Sequence, residues 1–254
     1  MIIAFVPCRL QSTRLPNKAI QEIHGISAIE RCLINTMAIP GVDKVVLATS
    51  TNKTDDRLEK HNLNGSVEVV RGPEEDVLER FMPTIYKYKP EHIVRVTGDC
   101  PLVSSELGEE TIHRHIQEGC DVTYTNSKVA LGTACEVYKT DAILKLKQLL
   151  KRTNHSEYLI YYFLNNPNHF ALNIFDAPGQ YIKPWRLTLD EANDLELLNL
   201  IFRTLKVGRR PVTFHEVISF FKEFPEAAQI NIGNIVKYRD NKELVEYLKR
   251  VTTI

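Results

Sequence analysis

Short apolar runs rich in Ile and Val recur along the chain, separated by longer stretches in which apolar residues return every three or four positions. The first pattern suits strands buried on both faces, and the second suits amphipathic helices. The predicted strands are Ile2 to Val6, Lys44 to Ala48, Val67 to Val70, His92 to Val96, Asp121 to Thr125, Ala134 to Tyr138 and Phe170 to Ile174. The predicted helices are Ala28 to Met37, Asp55 to His61, Glu75 to Tyr88, Glu106 to Gln117, Asp141 to Lys151, Ser156 to Leu164, Ala192 to Leu205, Phe214 to Lys222 and Lys242 to Arg250. Strands alternating with helices predict an α/β fold with a mostly parallel sheet. Pro73 suits a first helical position, with Glu74, Glu75 and Asp76 set against the positive end of the helix dipole. Thr213 and Glu216 have capping-box spacing before the apolar run Val217 to Phe221.

Composition narrows this picture. A chain of 254 residues, 43% hydrophobic and 25% charged, can bury a core unaided, and the absence of a repeat or long linker favours one domain, residues 1–254. Lys and Arg balance Asp and Glu at 32 each, so no net field draws the molecule to nucleic acid or an acidic membrane, and any anion site must be local. Met1 to Val6 is too short for a signal-peptide core, and no apolar run reaches membrane-spanning length. The five cysteines are scattered and form no C-x-x-C pair, which argues against a disulfide framework or structural zinc and fits a reducing cytoplasm.

Ligands of open α/β sheets bind beyond the carboxyl ends of strands, so polar segments directly after strands hold the candidate chemistry. The first is Arg9-Leu-Gln-Ser-Thr-Arg14-Leu-Pro-Asn-Lys18, whose three cations could converge on a polyphosphate. Read alone, it is equally a solvated basic loop. It lacks the glycine spacing of a P-loop or a dinucleotide fold. The second is Arg95-Val-Thr-Gly-Asp99-Cys-Pro101, where a carboxylate at a strand tip could hold Mg2+ against phosphate oxygens or could simply bond turn amides. In the third, Trp185 to Asp194, Asp190 is either a helix N-cap or a second metal ligand. In the fourth, Arg71 to Arg80, Gly72 would admit a base or ribose edge, and Asp76 and Arg80 could pair one helical turn apart. His113 and His115 do not share a helix face, and Cys8 and Cys100 have no base partner, so neither pair suggests a metal site or a nucleophile. Tyr158 to Phe163 reads as core or subunit interface.

In these segments the chain resembles the cytidylyltransferase family that includes the spore-coat polysaccharide type SpsF and, more distantly, the CMP-sialate and CMP-ketodeoxyoctonate synthetases. The resemblance runs from Ile3 to about Asn234, and also takes in Ala48-Thr-Ser-Thr-Asn52, Glu136-Val137 and Arg186-Leu-Thr-Leu-Asp190. It implies a GT-A-like, Rossmann-related sheet and attack of a sugar hydroxyl on the α-phosphate of CTP with release of pyrophosphate. By position it gives the triphosphate to Arg9, Ser12, Thr13, Arg14 and Lys18, the base and ribose to Thr49, Arg71 and Gly72, and Mg2+ to Asp99 and Asp190. Glu136, Glu157 and Arg186 would face the sugar. Relatives often carry Gly where Asn17 stands, and Glu-His where this chain has Glu157 and Tyr158. The family's commonest acceptor is a 2-keto-3-deoxy sugar acid, and its synthetases are commonly homodimers. Competing readings are a glycosyltransferase of the same fold, disfavoured because Asp99 is not part of an Asp-x-Asp, and a non-catalytic nucleotide-binding protein.

Overall fold

The computed structural model describes residues 1–12, 14–150, 155–234 and 241–254. Seven strands form one mixed sheet: β1 (Ile2–Pro7), β4 (Lys44–Ser50), β5 (Glu68–Gly72), β6 (His92–Arg95), β7 (Val122–Thr125), β8 (Glu136–Lys139) and β9 (Leu172–Phe175). The order across the sheet is β5-β4-β1-β6-β8-β7-β9, with β8 antiparallel to both neighbours and the other pairings parallel. A two-stranded hairpin, β2 (Glu22–Ile23) and β3 (Ile26–Ser27), stands apart. Its strands are too short to show a period, and its turn places His24 and Gly25 at φ 49° and 75°.

Alternate residues of β1 feed opposite layers, as a doubly covered strand requires. Ile2, Ala4 and Val6 join Ile29, Cys32 and Leu33 of α1 (Ala28–Met37) and Ile112 of α3 (Ser105–Glu118). Ile3 and Phe5 face the other layer, α2 (Val77–Tyr88), α4 (Thr140–Leu149) and α5 (Leu159–Leu164). A further apolar cluster joins Leu197, Leu198, Ile201 and Phe202 of α6 (Ala192–Thr204) to Phe214, Val217 and Phe220 of α7 (Phe214–Glu223). The last helix, α8 (Lys242–Thr252), packs on α5. No described helix is long and apolar enough to cross a membrane.

Several local expectations change. Helix α2 starts at Val77 with Asp76 as its N-cap, accepting from the Glu79 amide at 3.1 Å, so Pro73 lies in the preceding loop. Arg80 does not pair with Asp76. It is buried, donating to the carbonyls of Ala48 at 3.3 Å and Glu74 at 3.0 Å. Residues 53–61 form a 3-10 helix rather than an α-helix. Lys151, the expected end of α4, lies outside the described residues. In Tyr158 to Phe163 the inward residues Leu159, Tyr162 and Phe163 are core. The Thr213–Glu216 capping box forms as its spacing predicts.

Candidate active site

Three of the four segments, Arg9 to Lys18, Arg71 to Arg80 and Arg95 to Pro101, leave the ends of β1, β5 and β6, which run parallel with β4 between β1 and β5, so these three emerge along one edge of the sheet, while Trp185 to Asp194 follows none of its strands directly. Because β8 runs antiparallel, its first residue, Glu136, comes to the same edge, opposite Arg95. The tips of β1 and β6 are drawn together at Gly98, where a Cβ would come within 2.8 Å of Cys8 Cβ and 3.1 Å of the Pro7 carbonyl.

Asp99 and Asp190 converge at the centre. Lys18 Nζ donates to Asp99 Oδ2 at 2.8 Å and to Asp190 Oδ1 at 2.7 Å. The backbone makes this meeting, since the Leu189 amide donates to the Asp99 carbonyl at 2.8 Å and the Thr188 hydroxyl to the same oxygen at 3.1 Å. Arg14 approaches Asp190 Oδ1 at 2.9 Å and Glu191 at 3.5 Å. Burial alone would push the Asp99 pKa up, but the Lys18 ammonium overrides it and holds the carboxyl down at about 2. For Lys18 burial opposes the charge, and the two carboxylates outweigh it, so its pKa is raised.

Asp190 is not a helix cap. That position belongs to Glu191, which leaves the Asp190 carboxylate facing the cations. Arg186 and Asp194 hold it there. Arg186 Nη2 donates to Asp190 Oδ2 at 2.8 Å, and its Nε donates to Asp194 Oδ1 at 2.9 Å. Asp194 is fully buried and accepts from the Asp190 and Glu191 amides at 2.9 and 3.0 Å and from Asn231 and Asn234 at 2.8 and 2.9 Å. Arg186, expected to face a sugar, is 7% exposed and gives two of its nitrogens to these carboxylates, so its visible action is to orient Asp190.

Arg9 lies apart from this centre, 3.5 Å from Glu74, 3.7 Å from Glu75 and 3.2 Å from Glu157. Glu157 links Arg9 to the β6–β8 pair: Arg95 donates to the Glu157 carbonyl at 2.5 Å, and Glu136 accepts from Arg95 Nη1 at 2.9 Å and from the Tyr138 hydroxyl at 2.6 Å. Arg71 is committed to its own loop, donating to the Ser50 and Asn52 carbonyls at 2.8 Å each and meeting Asp56 and Glu59 at 2.6 and 2.8 Å. At Gly72 a Cβ would meet Arg80 Cγ at 2.9 Å, so close packing of Arg80 accounts for the glycine here. Thr49 is buried and its hydroxyl has no hydrogen-bond partner among the described residues. Ser12 accepts weakly from the Leu15 amide at 3.4 Å, and Thr13 lies outside the described residues. Asn17 sits at φ 53°, a left-handed conformation that Asn tolerates and Gly adopts freely.

A divalent cation fits this arrangement. Two carboxylate oxygens already share one cation, the Lys18 ammonium, and Mg2+ in nucleotide sites is held by one or two carboxylates with phosphate and water completing the shell. Among the described residues no group of three or more His, Cys, Asp or Glu could hold a metal, so further ligands would come from substrate or water. Cys8 and Cys100 are buried and burial pushes both thiols up, Cys8 to about 12, which leaves them packing residues. Residues that sequence reasoning left without a role are Asp194, Arg95 and Asp55; the last accepts from the Leu10 amide at 2.8 Å and so ties the Arg9 loop to β4.

Residues 3–247 match the family described as cytidylyltransferase. The spore coat polysaccharide biosynthesis protein SpsF of Bacillus subtilis (strain 168) is 32% identical over 235 residues, covering 89% of this chain and 96% of its own. Among solved structures, a cytidylyltransferase from Leptospira borgpetersenii serovar Hardjo-bovis superposes with a TM-score of 0.79 at 22% identity, covering 92% of this chain and 97% of the other. A CMP:2-keto-3-deoxy-manno-octonic acid synthetase complexed with CTP gives 0.62 at 16% identity, over 80% of this chain and 99% of the other. The family match spans nearly the whole sequence and the SpsF likeness nearly the whole of both chains, so this protein belongs to the cytidylyltransferase family and is a nucleotidyltransferase.

Proposed function

We propose that the protein transfers CMP from CTP to a hydroxyl of a sugar acid of the 2-keto-3-deoxy type, releasing pyrophosphate, as a step in making a surface polysaccharide. The observation that carries the reading is the meeting of Lys18 with Asp99 and Asp190 at 2.8 and 2.7 Å, residues 81 and 172 positions away from it in sequence. Displacement at phosphorus needs alignment and charge neutralisation rather than a covalent intermediate, and these groups can supply both.

Lys18 and Arg14 carry charge towards the polyphosphate, and Arg9 extends it along the sheet edge. Each is already held by carboxylates, Arg9 by Glu157, Arg14 by Asp190 and Lys18 by Asp99 and Asp190, so part of the side-chain ordering is made before phosphate oxygens take the same donors. Asp99 and Asp190 would hold Mg2+, which when bound neutralises phosphate oxygens and acidifies an attacking hydroxyl. Arg186 and Asp194 keep Asp190 aimed at that position. Glu136 and Glu157 offer acceptors to acceptor-sugar hydroxyls on the β8 side, where Arg95 and Arg9 are the cations already in contact with them.

The test is a pyrophosphate-release assay. Product should require CTP, Mg2+ and a 2-keto-3-deoxy sugar acid together, and Asp99→Asn and Asp190→Asn should each lower kcat by roughly a hundredfold or more, in line with losing one preorganised electrostatic contact in a transition state. Full turnover in both variants would remove the metal reading.

A further inference from the structure

We infer that Asn52 and Glu74 form the base-reading pair of this site and select cytosine over uracil; the inference rests on the CTP-dependent reading above. Both residues stand at the tips of neighbouring parallel strands, Asn52 just beyond β4 and Glu74 just beyond β5, and the Asn52 amide Nδ2 donates to Glu74 Oε2. Along the sheet edge the order is then Glu74, Asn52, the Arg9–Lys18 loop and Asp99, because the strands run β5-β4-β1-β6. Two strand spacings, about 10 Å, separate β5 from the phosphate loop on β1, which suits a nucleoside lying across the tips with its phosphates over β1 and β6.

The pair is preorganised from behind. Arg71 Nη2 holds the Asn52 carbonyl at 2.8 Å, and the Ser50 hydroxyl accepts from the Asn52 amide at 3.1 Å. Buried Arg80 holds the Glu74 carbonyl at 3.0 Å. Two guanidiniums thus fix the main chain of one polar side chain each, and support of this kind makes a recognition group selective. Glu74 meets Arg9 at 3.5 Å, but among the described residues neither Asn52 nor Glu74 bonds Lys18, Asp99 or Asp190, and the Glu74 side chain remains 24% exposed.

The chemistry of the pair is directional. A carboxylate only accepts, and the Asn52 amide beside it donates. Cytosine presents an amino donor at N4 next to an acceptor at N3, which matches acceptor beside donor. Uracil presents the reverse, a carbonyl at O4 next to an N3–H, and sets like against like at both atoms. Guanine is rejected on the same ground by O6 and N1–H. Each Glu74 oxygen has lone pairs beyond those facing Asn52 and Arg9, so the base can bind without breaking the pair.

Calorimetric titration of CTP and of UTP, each with Mg2+, into the full chain tests this without knowledge of the acceptor. The wild type should bind CTP at least tenfold more tightly than UTP, the size of discrimination that a matched hydrogen-bond pair gives against the wrong base. Glu74→Gln, whose amide can turn a donor towards O4, should weaken CTP and strengthen UTP so that the ratio falls to within about threefold. Asn52→Ala should weaken CTP and leave UTP nearly unchanged, while Glu75→Gln, at an 87% exposed side chain, should keep the wild-type ratio. Equal weakening of both nucleotides by Glu74→Gln would mean that Glu74 acts only through Arg9 and would overturn the inference, as would equal affinity of the wild type for CTP and UTP. Absence of binding to either triphosphate would instead overturn the nucleotide reading itself, and this inference with it.

Discussion

Asp55 shows how a single buried carboxylate shapes the site without touching it. It is 1% exposed, with one oxygen accepting from the Leu10 amide at 2.8 Å and the other from the Ser50 hydroxyl. In Asp55→Asn an amide N–H2 must face one of these donors, leaving a buried donor unpaired at about 1–3 kcal/mol. The variant should therefore unfold some 2–10 °C lower and bind CTP more weakly as the Arg9 loop loosens. Calorimetry reads the first and titration the second, and wild-type values in both would deny the carboxylate this role. Nothing in the sequence points to it, because its partner is 45 residues away and no periodicity encodes that contact. Asp194 was hidden differently: beside Asp190 it reads as one more acid of a helix start, and only burial against Arg186 separates their tasks. The convergence of Lys18, Arg14, Asp99 and Asp190 was legible only as a set of charged candidates, Lys18, Arg14 and Asp99 by following β1 and β6, whereas Arg9 from the same loop lies apart from them. The commitment of Arg71 to carbonyls of its own loop was not, since a side chain's direction is set by tertiary packing.

Strands β1, β4 and β6 were the most legible elements, because each is apolar on both faces and ends in a polar segment. The antiparallel β8 was visible as a strand but not in direction, which depends on how the chain between β7 and β8 turns back. Helix α3 carries a feature with a solution signature. His115, in its last turns, is buried with Nδ1 3.0 Å from Thr123 Oγ1 on β7 and Nε2 3.1 Å from His92 Nδ1 on β6. Burial first, then His92 and Lys139, hold the His115 pKa down at about 3, and burial also lowers that of His92 despite Glu91 nearby. An unfolded His titrates near 6.5. Between those values the unfolded chain binds the extra proton, so stability rises with pH across the window, is complete above about pH 6.5 and falls away as pH drops towards 3. One such proton contributes a slope of at most about 1.4 kcal/mol per pH unit. His115→Gln should flatten the dependence of Tm on pH between about 6.5 and 4 by up to that amount, as thermal melts in a pH series would read. An unchanged slope would show that His115 does not carry the acid sensitivity.

At the scale of the whole molecule, the site lies on a seam where residues 185–190 run against the segments that carry Asp99 and Leu131. Leu131 bonds this run on both sides, its N–H donating to the Trp185 carbonyl and its carbonyl accepting from the Leu187 N–H at 2.8 Å each, and the Leu189 amide donates to the Asp99 carbonyl. Gly132 makes this approach possible. It sits at φ +91°, and a Cβ there would meet the Thr188 nitrogen at 2.8 Å and the Leu187 carbonyl carbon at 2.9 Å, backbone atoms that cannot rotate aside. Gly132→Ala should then destabilise by about 1–3 kcal/mol through overpacking alone, with the left-handed backbone adding to it. Because Asp190 lies two residues beyond Thr188, the same displacement should lower kcat, whereas a substitution felt only by the core would not. A ligand gripping both sides of the seam opposes the opening: at a hundredfold excess over Kd, CTP with Mg2+ adds about 2.7 kcal/mol to any form that binds it. If the seam is what the substitution disturbs, Gly132→Ala should bind more weakly and gain less in Tm from CTP than the wild type at the same concentration. Equal ligand-induced shifts in the two proteins, read by scanning calorimetry, would show that the two sides of the seam meet independently of the nucleotide and that the seam has no part in holding it.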